Sequence, residues 1–594
     1  MDTTAQKMDL RIPQQSLKSL SFAESSEKGI IHWIANLPKA NIGEMARQLY
    51  QGLIEFNQLE IAPEKRLAIL EQLRPEVHYV CSALSRYYLG QSIVLEDKPR
   101  KVANLSQSLQ NHLANGYKIV VAQERQVRSR DHSALIGLAI QRAVRGLCGP
   151  LLRAFQLYCP VADGVWLELH QLYQLARKRN LHLQPIQDNE SLEGKPLSVE
   201  QCYLIALLMG SARPNQMRQS AMGKLFVVLE DWSRLASLVP PDDPEALFII
   251  NPSMDCQPRY RSLIREEDLS ESMGLSTDRL VGAIKEYMLN GESQSGLRVP
   301  DGLGVEMLQH LSQSWGDLAE RTFNRVPGRG TLKISIGMSA THFRIAQTPF
   351  AKFIKADEND INPFSDSAQR AKQEGWDSVL DSNQALDWHS SGVEQINYNN
   401  LEDSAEDEGE EHYPIHALPI VNHSPGGFCL TWPKEVPKQL QAGELLGVQE
   451  ESDQDWSLAV VRWIRQVRGG GTQMGVELVA PHCTPCALKL IRKTEQPSQY
   501  LRALILPEVT AIDRPATIIT PRMPFSINSK VMILQGNRES RAHLTDRVAA
   551  SGSFSQFEYR VIEEPVDGKR KPQPSGSALT VSTDDDFDSL WKSL

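Results

Sequence analysis

The sequence predicts a multidomain α+β protein with a large all-α N-terminal domain, a β-barrel and a second small C-terminal β-domain. Apolar residues recur at helical spacing over the first half of the chain, as at Met45, Leu49 and Leu53. Alternation of apolar and polar residues, which is typical of strands, begins at Thr331 and resumes at His416. The 594 residues suffice for about three or four domains.

The N-terminal half is predicted to be a stack of helical hairpins. Residues 1–24 are expected to form a flexible lead, and residues 25–323 the α-helical domain, with Pro and Gly marking the joins between helices. The apolar run at 247–250 is short enough to be a strand that interrupts the helices. Stacked hairpins often form a repeat-like domain, but no fixed period supports a named repeat class. The last helix is predicted at 305–323.

A β-barrel is predicted over residues 324–480, interrupted by a polar insertion. The first strand is expected at 331–338, and a hairpin is expected around the glycines at 469–471. Residues 351–411 are polar and end in an acidic run, so we expect a disordered insertion there.

The C-terminal part is predicted to be a small β-domain followed by a tail. Strand-like runs recur over 495–563, which indicates a compact β-module. Residues 564–594 are rich in Pro, Ser and Gly and are expected to be disordered. The tail ends in an acidic segment that carries Phe587, Trp591 and Leu594. This segment is either a peptide that folds on a partner or a solvated tail.

Charge and composition exclude several classes of protein. The net charge is −10, and the acidic residues cluster at 402–411 and 584–588, so nothing indicates a nucleic-acid tract or a polybasic membrane anchor. The polar N-terminus has no signal-peptide pattern, and no run of eighteen apolar residues indicates a membrane span. The eight scattered cysteines are typical of reduced thiols. We therefore expect a cytoplasmic protein without a membrane or nucleic-acid partner.

The most informative motif is Asn422-x-Ser424-x-x-Gly427, which follows an apolar strand. Side chains two residues apart share one face of a strand, so the amide of Asn422 and the hydroxyl of Ser424 should lie side by side. Gly427 leaves room for a close approach to the backbone. The pattern predicts a ligand-binding edge on a small barrel.

These residues resemble the Asp/Asn-x-Ser-x-x-Gly motif of the PilZ family. The segment from Val460 to Leu478 also resembles the closing strands of that family. The second family element, Arg-x-x-x-Arg before the first barrel strand, is matched by Arg325 and Arg329, with an overlapping match from Arg321 to Arg325. PilZ domains are receptors for cyclic di-GMP. The resemblance therefore implies a PilZ-like barrel with that ligand. The ligand-binding residues that it implies are Arg325, Arg329, Asn422, Ser424 and Gly427, with Arg321 as a further candidate.

The chemistry of these residues suits a cyclic dinucleotide. The planar guanidinium of arginine binds phosphate through two hydrogen bonds and stacks on a purine, and Asn and Ser can bond to guanine edges. One departure is the 97-residue spacing between Arg325 and Asn422, which the insertion accounts for. A sixfold longer flexible loop costs only about 1.6 kcal/mol of closure free energy. A rival pair, Arg261 and Arg265, has no strand after it.

No enzyme signature is present, and no catalytic residue or cofactor is predicted. The sequence lacks a Walker A loop, Gly-x-Ser-x-Gly and His-Glu-x-x-His. Cys483 and Cys486 form a lone Cys-x-x-Cys without the second pair that a structural zinc site needs, so no metal site is expected.

The sequence thus predicts a non-enzymatic cyclic di-GMP receptor that relays the second-messenger state to an unidentified protein partner. Ligand-bound arginines at the junction between helical domain and barrel would bias the orientation of that domain. One alternative is an interaction scaffold whose PilZ-like barrel is structural and binds no ligand. Another is an enzyme with an unrecognised site in the helical domain.

Overall fold

The structure is a computed structural model that combines a helical region, a small sheet and two β-barrels. It describes residues 10–124, 130–191, 194–316, 325–354, 413–433, 435–450, 455–469, 471–491, 498–508, 515–536 and 538–562. Most of the predicted insertion and all of the predicted tail lie outside these residues, as does Arg321.

The helices of the N-terminal region follow one another closely along the chain. They are α1 (Glu27–Ala35), α2 (Ile42–Gln58), α3 (Pro63–Ser85), α4 (Asp97–Glu124), α5 (Arg130–Gln156), α6 (Val165–Lys178), α7 (Val199–Ser211), α8 (Gln219–Trp232), α9 (Asp278–Asn290), α10 (Glu292–Ser295) and α11 (Val305–Gly316). Local signals start several of them: Asn41 caps α2 by accepting from the Glu44 amide, and Ser198 with Gln201 forms a capping box on α7. The apolar stripe of α2 is fully buried, as its spacing predicts.

One described helix has the length and apolar composition of a membrane span. It covers His132–Gln156 within α5. In the structure 67% of its most apolar window is buried, and the core helix of a globular protein passes the same test, so this is weak evidence for a span.

The helical region also contains a small antiparallel sheet. Its strands are β1 (Ser237–Val239), β2 (Phe248–Ile250), β3 (Arg259–Tyr260) and β4 (Met273–Ser276), in the order β1-β4-β2-β3. The sequence indicated only β2.

The first barrel is built from six strands, with a seventh, β5, at its edge. These strands are β5 (Val326–Pro327), β6 (Thr331–Ile336), β7 (His416–Ser424), β8 (Gly427–Trp432), β9 (Leu445–Gln449), β10 (Ser457–Val467) and β11 (Gly471–Ala480). The order is β5-β7-β6-β9-β10-β11-β8, and the pairing of β7 with β8 closes the ring. Helices α12 (Gly337–Ala346) and α13 (Phe350–Ile354) follow β6. The predicted hairpin is confirmed as β10–β11.

The second barrel is a closed ring of six strands. They are β12 (Thr484–Leu490), β13 (Leu501–Leu506), β14 (Thr517–Pro521), β15 (Lys530–Gln535), β16 (Arg538–Ala550) and β17 (Phe554–Val561), in the order β12-β13-β14-β17-β16-β15. Strands β12 and β16 were not recognised in the sequence.

The three parts pack against one another. One apolar core runs from the helices into the interior of the first barrel, where Leu430 and Met474 are fully buried. A separate cluster, which includes Leu458 and Leu504, joins the outside of the first barrel to the second. The guanidinium of Arg218, at the start of α8, donates to the Ala442 carbonyl oxygen (3.1 Å) and thereby ties the helices to the first barrel.

Gly427 is required by the closure of the first barrel. Its φ is +150°, and a Cβ at this position would lie 2.0 Å from the carbonyl oxygen of Val476 on β11. The close approach that this glycine permits is therefore that of β11, a strand of the same barrel. Gly330, in the segment between β5 and β6, also has a positive φ (+93°), but no atom lies within 4 Å of its Cβ position.

We expect Gly427→Ala to lower the free energy of unfolding of the first barrel by about 2–5 kcal/mol, because it adds a clash to an unfavourable φ. Gly330→Ala is the matched control. It adds only backbone strain and should cost about 1–2 kcal/mol. Hydrogen exchange of the β7, β8 and β11 amides measures both. Equal losses in the two variants would contradict the role given to the Val476 contact.

Candidate functional site

Strand β5 brings the arginine segment next to the strand that carries Asn422 and Ser424. Val326 pairs with His423, and Pro327 pairs with Asn422. The Gly328 amide donates to the Val421 carbonyl oxygen (3.1 Å), which extends this pairing. The two sequence motifs, 97 residues apart, are therefore hydrogen-bonded neighbours.

Arg325 and Arg329 flank β5 on its two sides. Arg325 directly precedes the strand, Arg329 follows it by two residues, and both side chains are exposed. The backbone between them is held firmly, since Gly328 packs so closely on Ile420 that a Cβ would lie 2.3 Å from its Cγ2. The two guanidinium groups thus extend into solvent from a fixed support.

Asn422 and Ser424 share the outer face of the barrel and have unused hydrogen-bonding capacity. The Oδ1 atom of Asn422 is buried and has no hydrogen-bond partner among the described residues. Such an acceptor is costly unless a donor reaches it. The hydroxyl of Ser424 lies 3.5 Å from the Gly427 carbonyl oxygen, which is at the limit of a hydrogen bond. Both groups can therefore receive or make bonds to a ligand.

The same outer face continues across three more strands. Asn422 is opposite Cys429, Cys429 is opposite Gly475, and Gly475 is opposite Trp463. Because directly opposed residues point to the same side of a sheet, these four positions form one row. The indole of Trp463 lies across Gly475, whose Cβ would be 2.0 Å from the indole Nε1.

Arg465 adds a third cation at the far side of this row. Its guanidinium lies 5.2 Å from the centre of the Trp463 ring and donates to the Gln473 side-chain oxygen (2.7 Å). Burial raises the pKa of the Cys429 thiol, and the positive charges of Arg325 and Arg465 oppose that rise. The positive charges of both arginines therefore reach the centre of the row. The row forms an electropositive surface beside an aromatic ring.

The neighbouring cation Arg462 is already compensated. It forms an exposed two-bond ion pair with Glu477 (2.6 and 2.9 Å). Exposed pairs of this kind contribute little to stability and leave no net charge for a ligand. The site is therefore described by the outer-face residues Arg325, Arg329, Asn422, Ser424, Trp463 and Arg465.

Trp463 and Arg465 were missed as site residues by sequence reasoning. An irregularity in the β10–β11 register places Arg462 as an extra residue between Val461 and Trp463. It turns Trp463 outward although Val461 is fully buried. The signal in the sequence is the three-residue spacing of the inward residues Val461 and Ile464, which strict alternation does not allow.

The other candidate residues lie elsewhere. Arg261, of the rival pair, lies in a short 3₁₀ helix after β3 and is paired with Glu266 (2.7 Å). Cys483 and Cys486 lie at the start of the second barrel, where burial raises the pKa of both thiols, that of Cys483 to about 12. Since zinc binds thiolates, neither group is prepared for that metal.

One group among the described residues could hold a metal ion by its spacing. Ligand atoms of Glu64, Glu124 and His132 lie within 4.8 Å of one another, where α3, α4 and α5 meet. The buried Glu124 carboxylate is 2.6 Å from the His132 Nδ1, so an ion pair also accounts for this arrangement.

Comparison with known proteins covers almost the whole chain. Residues 247–485 match the family model for the middle PilZ domain of the cyclic-di-GMP receptor FimW. Residues 28–243 match the model for its N-terminal domain, and residues 486–562 match the model for its C-terminal beta-barrel domain.

A curated relative agrees with these matches. The cyclic-di-GMP receptor FimW of Pseudomonas aeruginosa is 50% identical over 610 aligned residues, which cover 100% of both chains. No solved structure matches the chain. The predicted PilZ resemblance and the predicted fold class are confirmed, and the chain belongs to the FimW family of cyclic-di-GMP receptors.

Proposed function

We propose that this chain binds cyclic di-GMP on the outer face of its first barrel and relays the bound state to a protein partner. The observation that carries the proposal is the pairing of β5 with β7, which sets Arg325 and Arg329 beside Asn422 and Ser424. The relative from Pseudomonas aeruginosa, which is named a cyclic-di-GMP receptor, supports the same ligand.

The chemistry of the surface fits both halves of that ligand. Exposed guanidinium groups on a fixed segment can each bind a phosphate through two charge-assisted hydrogen bonds. The half-buried ring of Trp463, with Arg465 beside it, offers a face on which a guanine can stack. The N–H groups of a guanine edge are donors that match the unpaired Oδ1 of Asn422.

We further propose that the chain is not an enzyme, that it needs no cofactor and that it acts in the cytoplasm. A rival site is a cavity of about 540 Å³ in the helical region, lined by Glu71, Arg74 and Arg142 among others. Three of its charged residues are already paired: Arg142 with Glu71 (2.9 Å), and Arg74 with Asp188 (2.5 Å). Paired charges of this kind are typical of a structural network and weigh against an enzyme site there.

The relay is proposed to run through the β10–β11 hairpin as well as the arginine segment. Gln466 directly follows Arg465, and its amide donates to the Tyr158 carbonyl oxygen (2.8 Å) at the end of α5. Its side chain donates to the carbonyl oxygens of Ile93 (2.9 Å) and Leu157 (3.0 Å). Two residues on, Arg468 pairs with Asp163 (2.8 Å), just before α6. A shift of Arg465 on ligand binding would therefore move the segment between the end of α5 and the start of α6.

We expect Arg329→Ala and Ser424→Ala to weaken cyclic di-GMP binding in a calorimetric titration. Loss of a hydrogen bond to a charged group costs about 1.5–3 kcal/mol. For Arg329→Ala this corresponds to a roughly 10- to 150-fold loss of affinity for cyclic di-GMP. Ser424→Ala should lower the affinity about tenfold, and Arg465→Ala should lower it by a similar factor.

The matched control is Arg261→Ala, which removes a half-buried arginine of the rival pair and should bind like the unaltered chain. Equal binding by all of these variants would refute the site. No binding by the unaltered chain, with a partner still retained, would instead favour the scaffold alternative.

We expect Gln466→Ala to separate binding from relay. The variant keeps every proposed ligand contact, so its affinity should change less than about threefold. However, the ligand-dependent change in hydrogen exchange over residues 157–165 should be reduced, because the side-chain bond to Leu157 is gone, together with the bond to Ile93.

Arg462→Ala is the control for this experiment. It lies on the same strand, but its ion pair with Glu477 does not involve the helices. If saturating cyclic di-GMP changes exchange at 157–165 equally in Gln466→Ala and in the unaltered chain, the side chain of Gln466 is not the route.

A further inference from the structure

The second barrel has a charge opposite to that of the rest of the chain. Residues 486–562, which match the C-terminal beta-barrel model, contain eleven Lys and Arg and six Asp and Glu, a net charge of +5 with His neutral. The whole chain carries −10, so the remainder carries −15. A basic module in an acidic protein is expected to attract an acidic segment.

Four basic residues of this barrel share one face, which we call the basic face: Lys489, Lys530, Arg541 and Arg560. Strand pairing aligns Lys530, His543 and Arg560 in one row across β15, β16 and β17. The next row aligns Lys489, Met532 and Arg541. The intervening Val531 and Ala542 are fully buried, so these rows point outward.

Among the described residues, two acidic side chains on the same face offset part of this charge. Glu539 lies 3.5 Å from Lys489 and accepts a hydrogen bond from the Tyr500 hydroxyl, which lowers the pKa of its carboxyl. Glu558 lies two residues before Arg560 on β17. The exposed Lys530 and Arg560 remain as two cations of one row, on either side of His543.

Both rows end in exposed apolar side chains. The Ile491 amide donates to the Lys530 carbonyl oxygen (2.8 Å), which places Ile491 at the end of the first row. The Ile562 amide donates to the Arg541 carbonyl oxygen (2.7 Å), which places Ile562 at the end of the second. These side chains are 39% and 43% exposed. The basic face therefore combines cations with apolar contacts, and an acidic segment that also carries apolar residues would match it best.

The chain itself contains such a segment. Residues 584–594 begin with three aspartates and include a fourth at 588, and they carry Phe587, Leu590, Trp591 and Leu594. The spacing of three and four residues puts these apolar side chains on one side of a helix if the segment folds on a surface. The other acidic run, at 402–411, has seven acidic residues but no large apolar side chain.

We propose that the basic face of the second barrel is an intramolecular docking site for the acidic C-terminal segment 584–594. The chain leaves the barrel from β17, the strand that carries Arg560, and residues 563–583 connect this point to the segment. A fully extended connection of this length reaches at most about 70 Å, so the segment can return to the face from which it departs. Covalent attachment makes the encounter intramolecular and favours this segment over a free acidic peptide.

The docking contact is reversible and sensitive to salt. Exposed ion pairs are individually weak, and salt screens them. The aromatic residues supply the remaining attraction by burying apolar surface against Ile491 and Ile562. A partner with a similar acidic and aromatic segment would compete for the same face.

Zero-length carbodiimide cross-linking of the full chain tests the proposal. The reagent joins a carboxylate to a lysine amine only when the two are in contact, and mass spectrometry locates the link. At low salt we expect links from the aspartates of 584–588 to Lys530 at least fivefold more often than to Lys65, an exposed lysine of α3. An equal mixture of ¹⁵N-labelled and unlabelled chains separates links within one chain from links between two.

Two variants keep both reacting groups and test the two kinds of contact. Arg560→Gln removes a neighbouring cation, and Trp591→Ala removes an apolar residue. Each should reduce the link to Lys530 at least threefold. Arg47→Gln, an exposed change on α2, should leave it unchanged. Links to Lys530 no more frequent than to Lys65 would overturn the proposal. Links mainly between chains, or mainly from residues 402–411, would also overturn it.

Discussion

The candidate site on the first barrel depends on a single extra residue in β7. Ile420 is opposite Leu430, whereas Asn422 is opposite Cys429, so Val421 is left over as a bulge. Leu418 and Ile420 point into the apolar core. Strict alternation would turn Asn422 inward after them, into a core that has no partner for its amide. The bulge reverses the direction of the strand's side chains and puts both Asn422 and Ser424 on the outer face.

A second bulge, at Arg462 in β10, has the same effect on the opposite side of the site. It turns Trp463 and Arg465 outward, although the buried Val461 and Ile464 are only three residues apart. The edge strand β5 then covers the end of β7 and adds two exposed arginines. Polar and aromatic groups from three chain segments thus meet on a surface whose reverse side is the barrel core. The core makes this surface rigid, which keeps the ordering cost of binding low.

The features that could be predicted from the sequence were those that depend on local pattern. The helical periodicity of α2, the hairpin β10–β11 and the polar pair Asn422 and Ser424 are short-range signals, and the structure contains all three. The proximity of Arg325 to Asn422 was expected from family resemblance alone, since 97 residues separate them and no local rule relates such positions. The structure supplies that relation through backbone hydrogen bonds between β5 and β7.

The features that were missed depend on tertiary context. Strand β16 reads as polar, with Arg538, Arg541 and Arg547 along it, because its outer face is solvated and its inner face needs only Ala542 and Leu544 to fill a narrow barrel. Trp463 and Arg465 were assigned to a strand but not to a face, because the spacing of Val461 and Ile464 identifies a bulge only once the partner strand shows that both point inward. Propensity and alternation describe one strand at a time, whereas bulges and the direction of side chains after them depend on pairs of strands.

The packing between the parts restricts how a bound ligand can act on the helices. The apolar core continues from the helical region into the first barrel, so a free swing of one part about a hinge would expose buried surface at a large cost. A ligand can shift an equilibrium only by the difference between its affinities for the two states. A few charge-assisted bonds supply a few kcal/mol, which is enough to move a hairpin and the loop that it contacts but too little to separate a core. The contacts of Gln466 with Tyr158, Leu157 and Ile93 are of that smaller scale, and they start one residue from Arg465. The physical scale of the available binding energy therefore favours a local change at the ends of α5 and α6 over a rotation of whole domains.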